Sequence, residues 1–278
     1  MKFVKMHGTG NDYVYVDLFS DKLSDPARAA VAVSHRRFGI GGDGLILIKP
    51  RPDADGEMEM YNADGSMSEM CGNGLRCVAK YVHDHYARGK DELKLMTGAG
   101  WRFARIVKRD AAGAAEEVRL DMGAPIWDGP EIPTTFTGDV LEKKLEVAGK
   151  TFTFSSVSMG NPHCVIYVDD VARFPVEQIG PLIETHPFFP RKVNVEFVQV
   201  LSKEEAIQRT WERGSGETWA CGTGASAVAA VGYRLGKTGP RLTLRLTGGN
   251  LLLEYDGKSS VFMTGNAVEV FQGEFPGL

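Results

Sequence analysis

Two cysteines carry the first chemical signal in this chain. Cys71 lies in MCGNGLRCVAKY (70–81) and Cys221 in ACGTGASAVAAV (220–231). In both, a thiol precedes Gly-x-Gly and then a run of helical spacing or of small apolar residues, so each cysteine opens a helix at a glycine-flanked turn. The first N–H groups of a helix lack partners and carry the positive end of its dipole. Such a start can hold a carboxylate and lower the pKa of a thiol placed there. Gly72, Gly74, Gly222 and Gly224 let a ligand approach the backbone. One carboxylate between two helix starts, flanked by two thiols, suits removal of a proton from one face of a carbon and delivery to the other.

The two cysteines stand 150 residues apart, and the same offset aligns other positions without adjustment. Gly10-Asn11 falls on Gly160-Asn161, Phe38 on Phe188, Thr97-Gly98 on Thr247-Gly248, Asn62 on Glu212 and Gly44 on Asn194. Matches in one register over this length are the signature of an internal duplication. Asn is common in turns, and only these offsets set Asn11, Asn62, Asn161 and Asn194 apart. His163 and the adjacent charges Glu212 and Arg213, just ahead of the second cysteine motif, join them as candidates. Cys77 and Cys164 read as small buried hydrophobes. His7, His35, His83, His85 and His186 read as ordinary structural histidines.

The elements that must position these residues are mostly strands. Segments such as HGTGNDYVYVDL, LILIKP, EMEMYNADG, TFTFSSVSMGNPHCVIYV and VNVEFVQVL alternate or run short and apolar between turn signals. After Cys71, apolar residues at Leu75, Val78, Ala79, Val82 and Tyr86 have helical spacing, with Gly89 as a stop. After Cys221 the helix is apolar on nearly every face and should be buried all round. Shorter helices are expected in DPARAAVAVSHRR, capped by Asp25 and Pro26, and in VEQIGPLIETH. The run 108–117 reads as a surface hairpin loop, matched in the second copy by the shorter DGKSS (256–260). The expectation is an α/β (α+β) fold of two homologous pseudo-twofold lobes, each a barrel-like, mostly antiparallel sheet around a central helix. Strands and helices do not alternate regularly enough for a doubly wound sheet.

Composition narrows the function classes. The 278 residues are 43% hydrophobic and 24% charged, which excludes disordered and collagen-like chains. A net charge of −4 leaves no electrostatic footprint for nucleic acid or an anionic membrane. No signal-peptide h-region and no apolar run of membrane-spanning length occurs, so the expected location is the cytoplasm, with the four cysteines reduced. The absence of CxxC or His-x3-His spacing argues against a structural metal site. The 33 glycines are about 12% of the chain, against a usual value of roughly 7%, as tight turns and close backbone approaches require.

At these residues the chain resembles the diaminopimelate epimerase family. The matching segments are HGTGNDYVYVD (7–17), FGIGGDGLI (38–46), YNADGSMSEMCGNGLRC (61–77), DMGAP (121–125), SMGNPHCVIYV (158–168), VNVEFVQ (193–199) and ERGSGETWACGTGASA (212–227). The resemblance implies interconversion of LL- and meso-2,6-diaminopimelate without pyridoxal phosphate, other cofactor or metal, on the route to lysine and, in many bacteria, peptidoglycan. It implies a homodimer and an N-terminal lobe formed by 1–120 plus 266–278 carrying Cys71. A C-terminal lobe, 121–265, would carry Cys221, with the active site in the cleft between them.

Carried over by position, Cys71 resembles the family's proton donor and Cys221 its proton acceptor, with roles exchanged in the reverse direction. His163 and Glu212 resemble auxiliary residues that tune the thiols. The backbone at Gly72-Asn73 and Gly222-Thr223 would hold the reacting carboxylate. Asn11, Asn62, Asn161, Asn194, Glu212 and Arg213 would contact substrate, including its distal amino-acid group. Some members carry Gln where this chain has Gly44, which puts a side-chain contact there in doubt. Other readings remain: a proline racemase or hydroxyproline epimerase, a phenazine-biosynthesis-type isomerase, a thiol redox or metal-binding protein, or an inactive binding module.

Overall fold

The structure, a computed structural model, describes residues 1–276. Its elements in chain order are β1 (Lys2–Gly8), β2 (Asn11–Asp17), α1 (Pro26–Ser34), β3 (Gly44–Lys49), β4 (Gly56–Asn62), β5 (Met67–Ser68), α2 (Gly72–His85), β6 (Glu92–Thr97), β7 (Gly100–Arg109) and β8 (Ala115–Asp121). Then follow β9 (Lys143–Val147), β10 (Lys150–Ser158), β11 (Pro162–Tyr167), α3 (Val176–Glu184), β12 (Asn194–Val200), β13 (Glu205–Glu212) and β14 (Gly216–Thr218). The chain finishes with α4 (Gly222–Arg234), β15 (Arg241–Leu246), β16 (Gly249–Glu254), β17 (Phe262–Asn266) and β18 (Val268–Glu274). The duplication is legible in these bounds: α1 and α3 begin and end 150 residues apart, and α2 and α4 begin at that same offset.

The chain divides into two units, Met1–Leu120 with Thr264–Leu278, and Asp121–Met263. In the first, paired strands run β18-β1-β2-β3-β4-β6-β7-β8, all antiparallel except β2–β3 and β4–β6. The second repeats the pattern as β9-β10-β11-β12-β13-β15-β16, with β11–β12 and β13–β15 parallel. α2 packs against β1, β2, β4, β6 and β7, and α4 against β10, β11, β12 and β16. Strands from across each sheet thus face one helix, wrapping partway around it without closing a barrel.

Alternation along the strands gives each sheet two different faces. In the first unit Val14, Val16, Leu45, Leu47 and Tyr61 pack on Ala29, Ala30 and Val33 of α1. In the second, Cys164, Ile166, Val195 and Phe197 pack with Val176, Ile179 and Ile183 of α3. Each fully buried Val, Leu or Ile here contributes roughly 1.5–3 kcal/mol relative to exposure. The opposite face of the same strands meets α2 or α4, and it carries the site.

The short helices begin where the sequence indicates. Asp25 caps α1 by accepting from the Arg28 N–H at 3.1 Å, with Pro26 in the first turn. The hairpin turn is shorter than the 108–117 run: 108–109 and 115–117 pair as the ends of β7 and β8, and in the turn between them Asp110 Oδ1 accepts from Ala112 N at 2.8 Å and Ala114 N at 2.9 Å. α2 ends earlier than Gly89 suggests. Its cap is Tyr86, whose ring stacks on Phe19 at 4.2 Å and whose hydroxyl donates to Asp17, so tertiary contacts set the terminus. α4 is buried from Gly222 to Gly232 except at Thr223, as its apolar composition requires.

Candidate active site

Each cysteine is the N-cap of its helix, with extended backbone. At Cys71 the thiol accepts from the Gly74 N–H at 3.3 Å and donates to Asn11 Oδ1 at 3.2 Å. Asn11 is held in turn by Asp43, whose Oδ2 accepts from Asn11 Nδ2 at 2.6 Å. Because a carboxylate only accepts, this bond turns the amide oxygen toward the thiol. Burial, then the charge of Asp12, pushes the Asp43 carboxyl above its ordinary range, while Arg36 bridges Asp12 and Asp43 at 2.8 Å each.

Below the same helix start, the fully buried Arg76 donates to Thr9 Oγ1 at 2.7 Å and to the Asn266 carbonyl at 3.2 Å, tying the first turns of α2 to the β1–β2 turn and to β17. Burial lowers its proton affinity.

Cys221 lies in different surroundings. It is only 5% exposed, and its Sγ stands 3.5 Å from Thr223 Oγ1. Burial pushes this thiol well above its ordinary value, and the nearby carboxylates of Glu212 and Glu196 push the same way. The expectation that a helix start lowers a thiol's pKa therefore fails at Cys221. Desolvation and two negative charges outweigh the dipole. Glu212 hydrogen-bonds the thiol and accepts from Thr218 Oγ1 at 2.6 Å; burial raises its own carboxyl despite these contacts.

A connected chain of polar groups leads away from Cys221. Thr223 Oγ1 accepts from Asn161 Nδ2 at 3.2 Å, and Asn161 Oδ1 lies 2.9 Å from His163 Nε2. His163 Nδ1 lies 2.8 Å from Glu196 Oε1, with both side chains fully buried. Glu196 Oε2 accepts from Gln208 Nε2 and from Thr210 Oγ1, each at 2.6 Å.

The register explains the cluster. Asn161 and His163 lie at the start of β11, Asn194 and Glu196 on β12, and Gln208, Thr210 and Glu212 on β13, each set at two-residue spacing on the face toward α4. Glu196 is a polar position in the strand segment VNVEFVQV, and a polar strand position ordinarily faces water. The covering helix could not be read from the strand. Glu196, Gln208, Thr210, Thr218 and Arg76 are therefore residues that sequence reasoning passed over.

The remaining candidates are placed as follows. Asn194 is buried; its Nδ2 donates to the Pro162 carbonyl at 3.0 Å and its Oδ1 accepts from the Arg213 N–H at 3.0 Å. The Arg213 guanidinium is exposed, with Nη1 donating to the Arg191 carbonyl at 3.3 Å. Asn62 ends β4 and donates to Ser66 Oγ at 3.0 Å. Asn73 is buried in the first turn of α2 beside Gly72, and Gly222-Thr223 hold the same place in α4. A Cβ at Gly44 would stand 2.1 Å from the Tyr61 carbonyl oxygen, so the strand pairing there excludes any side chain. Cys77 and Cys164 are fully buried, and burial pushes Cys77 up to about 11 and Cys164 well above its ordinary value, as inert packing thiols require.

The chain, built on this duplicated α/β fold, is an isomerase that acts on amino acids. The chain belongs to the diaminopimelate epimerase family, whose model matches residues 3–127 and 155–270. It is 50% identical to the diaminopimelate epimerase of Agathobacter rectalis, over 99% of both chains. It is also 50% identical to that of Leptospira biflexa, over 99% of this chain and 98% of the relative. Among solved structures, a phenazine biosynthesis protein of the PhzF family from Bacillus anthracis aligns with a TM-score of 0.71 at 17% identity, over 99% of this chain and 98% of that one. That likeness shows a shared fold. No helix among the described residues is long and apolar enough to cross a membrane.

Proposed function

We propose that the protein interconverts LL- and meso-2,6-diaminopimelate by a two-base reaction, with Cys71 and Cys221 serving opposite faces of one α-carbon. The observation that supports this most directly is the placement of both thiols as N-caps of glycine-flanked helices at a 150-residue offset. A thiolate takes the α-proton while the other thiol donates its own, so the enzyme is left with the two protonation states exchanged. With its proton affinity raised, Cys221 rests as the thiol, the form that donates from meso to LL, the direction in which the roles given above exchange. Its acceptor role in the opposite sense requires loss of that proton, and Glu212, hydrogen-bonded to it, is placed to receive it.

First-turn N–H groups at Gly72-Asn73 and Gly222-Thr223 hold the reacting carboxylate. Asn11 orients the Cys71 thiol, and Asn161 with His163 supports the start of α4. Exposed Arg213 binds the distal carboxylate through two parallel charge-assisted bonds, and Asn62, Asn161 and Asn194 sense the configuration beside it. The product supplies lysine and peptidoglycan precursors in the cytoplasm, from a homodimer that uses neither pyridoxal phosphate nor metal.

Purified protein given LL-diaminopimelate in deuterium oxide is expected to incorporate α-deuterium as the optical rotation changes, with and without EDTA, and to leave proline unchanged. Loss of activity on chelation with recovery by one metal, or preferential turnover of proline, would contradict the reading.

A further inference from the structure

Most buried ionisable groups in this molecule are explained by packing or by the two thiols, but Glu196 is not. A fully buried carboxylate is costly unless its acceptor positions are filled. Here His163 Nδ1 meets Oε1 at 2.8 Å, and Gln208 Nε2 and Thr210 Oγ1 donate to Oε2 at 2.6 Å each. The 150-residue counterpart of Glu196 is Ile46, that of His163 is Tyr13, and Met58 and Met60 stand for Gln208 and Thr210. The first unit thus builds the same fold without any of these four polar groups, so the fold itself does not require them.

The glycine at the third position of each helix makes the same point. A Cβ on Gly74 would meet Ile46 Cδ1 at 2.6 Å, whereas one on Gly224 would meet Glu196 Oε1 at 2.4 Å. The carboxylate is seated directly under the turn that Cys221 caps.

We propose that Glu196 is a positioning residue for the reaction: it holds a proton on Nδ1 of His163 and so aims Nε2, through Asn161 and Thr223, at the Cys221 helix start. An ionised carboxylate only accepts, so Nδ1 must donate to it. The tautomer of a histidine is set by the partner of its other nitrogen; with Nδ1 committed to Glu196, Nε2 faces the acceptor Asn161 Oδ1 and donates to it when it too carries a proton. The ionisable groups around this pair are Glu212 on β13, Cys164 on β11 and Cys221 at the start of α4; Glu212 feels the charges of both Glu196 and His163. This inference rests on the reading that His163 and Cys221 take part in epimerisation.

The test is Glu196→Gln, with Thr210→Val as a milder variant that removes only the hydroxyl donated to Oε2. Histidine-labelled protein without substrate, examined by ¹H–¹⁵N NMR from pH 6 to 9, is expected to show His163 carrying its Nδ1 proton throughout. Glu196→Gln is expected to lose that single tautomer, to lower kcat by about 10- to 100-fold with KM within threefold, and to displace the pH–rate profile. Thr210→Val is expected to move all three readouts in the same direction by less, and it carries the test if the Gln variant does not fold. The spectrum needs no turnover, so its outcome is separate from that of the two-thiol reading. A kcat loss with an unchanged histidine spectrum and pH profile would make Glu196 a packing residue and overturn the inference. So would an altered tautomer with kcat and pH profile unchanged.

Discussion

The strands beneath the Cys71 helix present Tyr13, Tyr15, Ile46, Met58 and Met60, whereas those beneath the Cys221 helix present His163, Glu196, Gln208 and Thr210. Backbone pairing is the same in both places, and so is the cysteine cap. The difference separates two jobs that one fold performs. In the proposed reaction the helix start and its glycines anchor a carboxylate, and the side chains on three neighbouring strands set how tightly the thiol holds its proton. At Cys71 the thiol is half-exposed and bonded to Asn11. At Cys221 it is buried with two acids nearby, and it keeps its proton.

The largest expected effect comes from removing either thiol. Cys71→Ala and Cys221→Ala should each lower net epimerisation by more than about 10³-fold, measured by optical rotation; near wild-type turnover in either would mean that one base serves both faces. Arg213→Lys should follow, lowering kcat/KM for LL-diaminopimelate by on the order of 2–3 kcal/mol, because lysine cannot reproduce a bidentate contact. A kcat/KM equal to wild type would place the distal carboxylate elsewhere.

Alkylation sharpens the comparison of the thiols themselves. Iodoacetamide at pH 7 should label Cys71 at least about tenfold faster than Cys221, read by peptide mapping. The sign follows from the shift: a thiol whose pKa is raised stays neutral as pH rises, so labelling of Cys221 should climb only above pH 9. Equal rates at neutral pH would break the contrast.

The smallest effect is on stability. Gly74→Ala presses on the rotatable end of Ile46, and the roughly 0.8–1.0 kcal/mol helix preference of Ala over Gly offsets the strain. Gly224→Ala presses on a carboxylate fixed by three hydrogen bonds and should cost about 1–3 kcal/mol, measured by urea denaturation. Equal costs would show that Glu196 yields as easily as Ile46.

How far the sequence carried is clearest along β11–β13. Alternation in VNVEFVQV and the 150-residue offset are enough to identify strands, duplicated units and both helix starts, because those signals are local and periodic. The Asp25 cap and the buried α4 were legible for the same reason. Glu196 was not, since a strand pattern tells which residues share a face and not what covers that face. Nor was the raised proton affinity of Cys221, which depends on desolvation and on carboxylates 9 and 25 residues away in the chain. Gly44 could be compared with Gln only by resemblance, and the Tyr61 carbonyl that excludes a side chain belongs to a partner strand.

The most direct test of the central claim is isotope exchange by the two serine variants, Cys71→Ser and Cys221→Ser, in deuterium oxide with LL- and with meso-diaminopimelate. The account predicts that neither variant produces net epimerisation, and that each washes deuterium into only one of the two diastereomers, a different one for each variant. Exchange into both diastereomers by either variant, or the same diastereomer exchanged by both, would contradict the assignment of one thiol to each face.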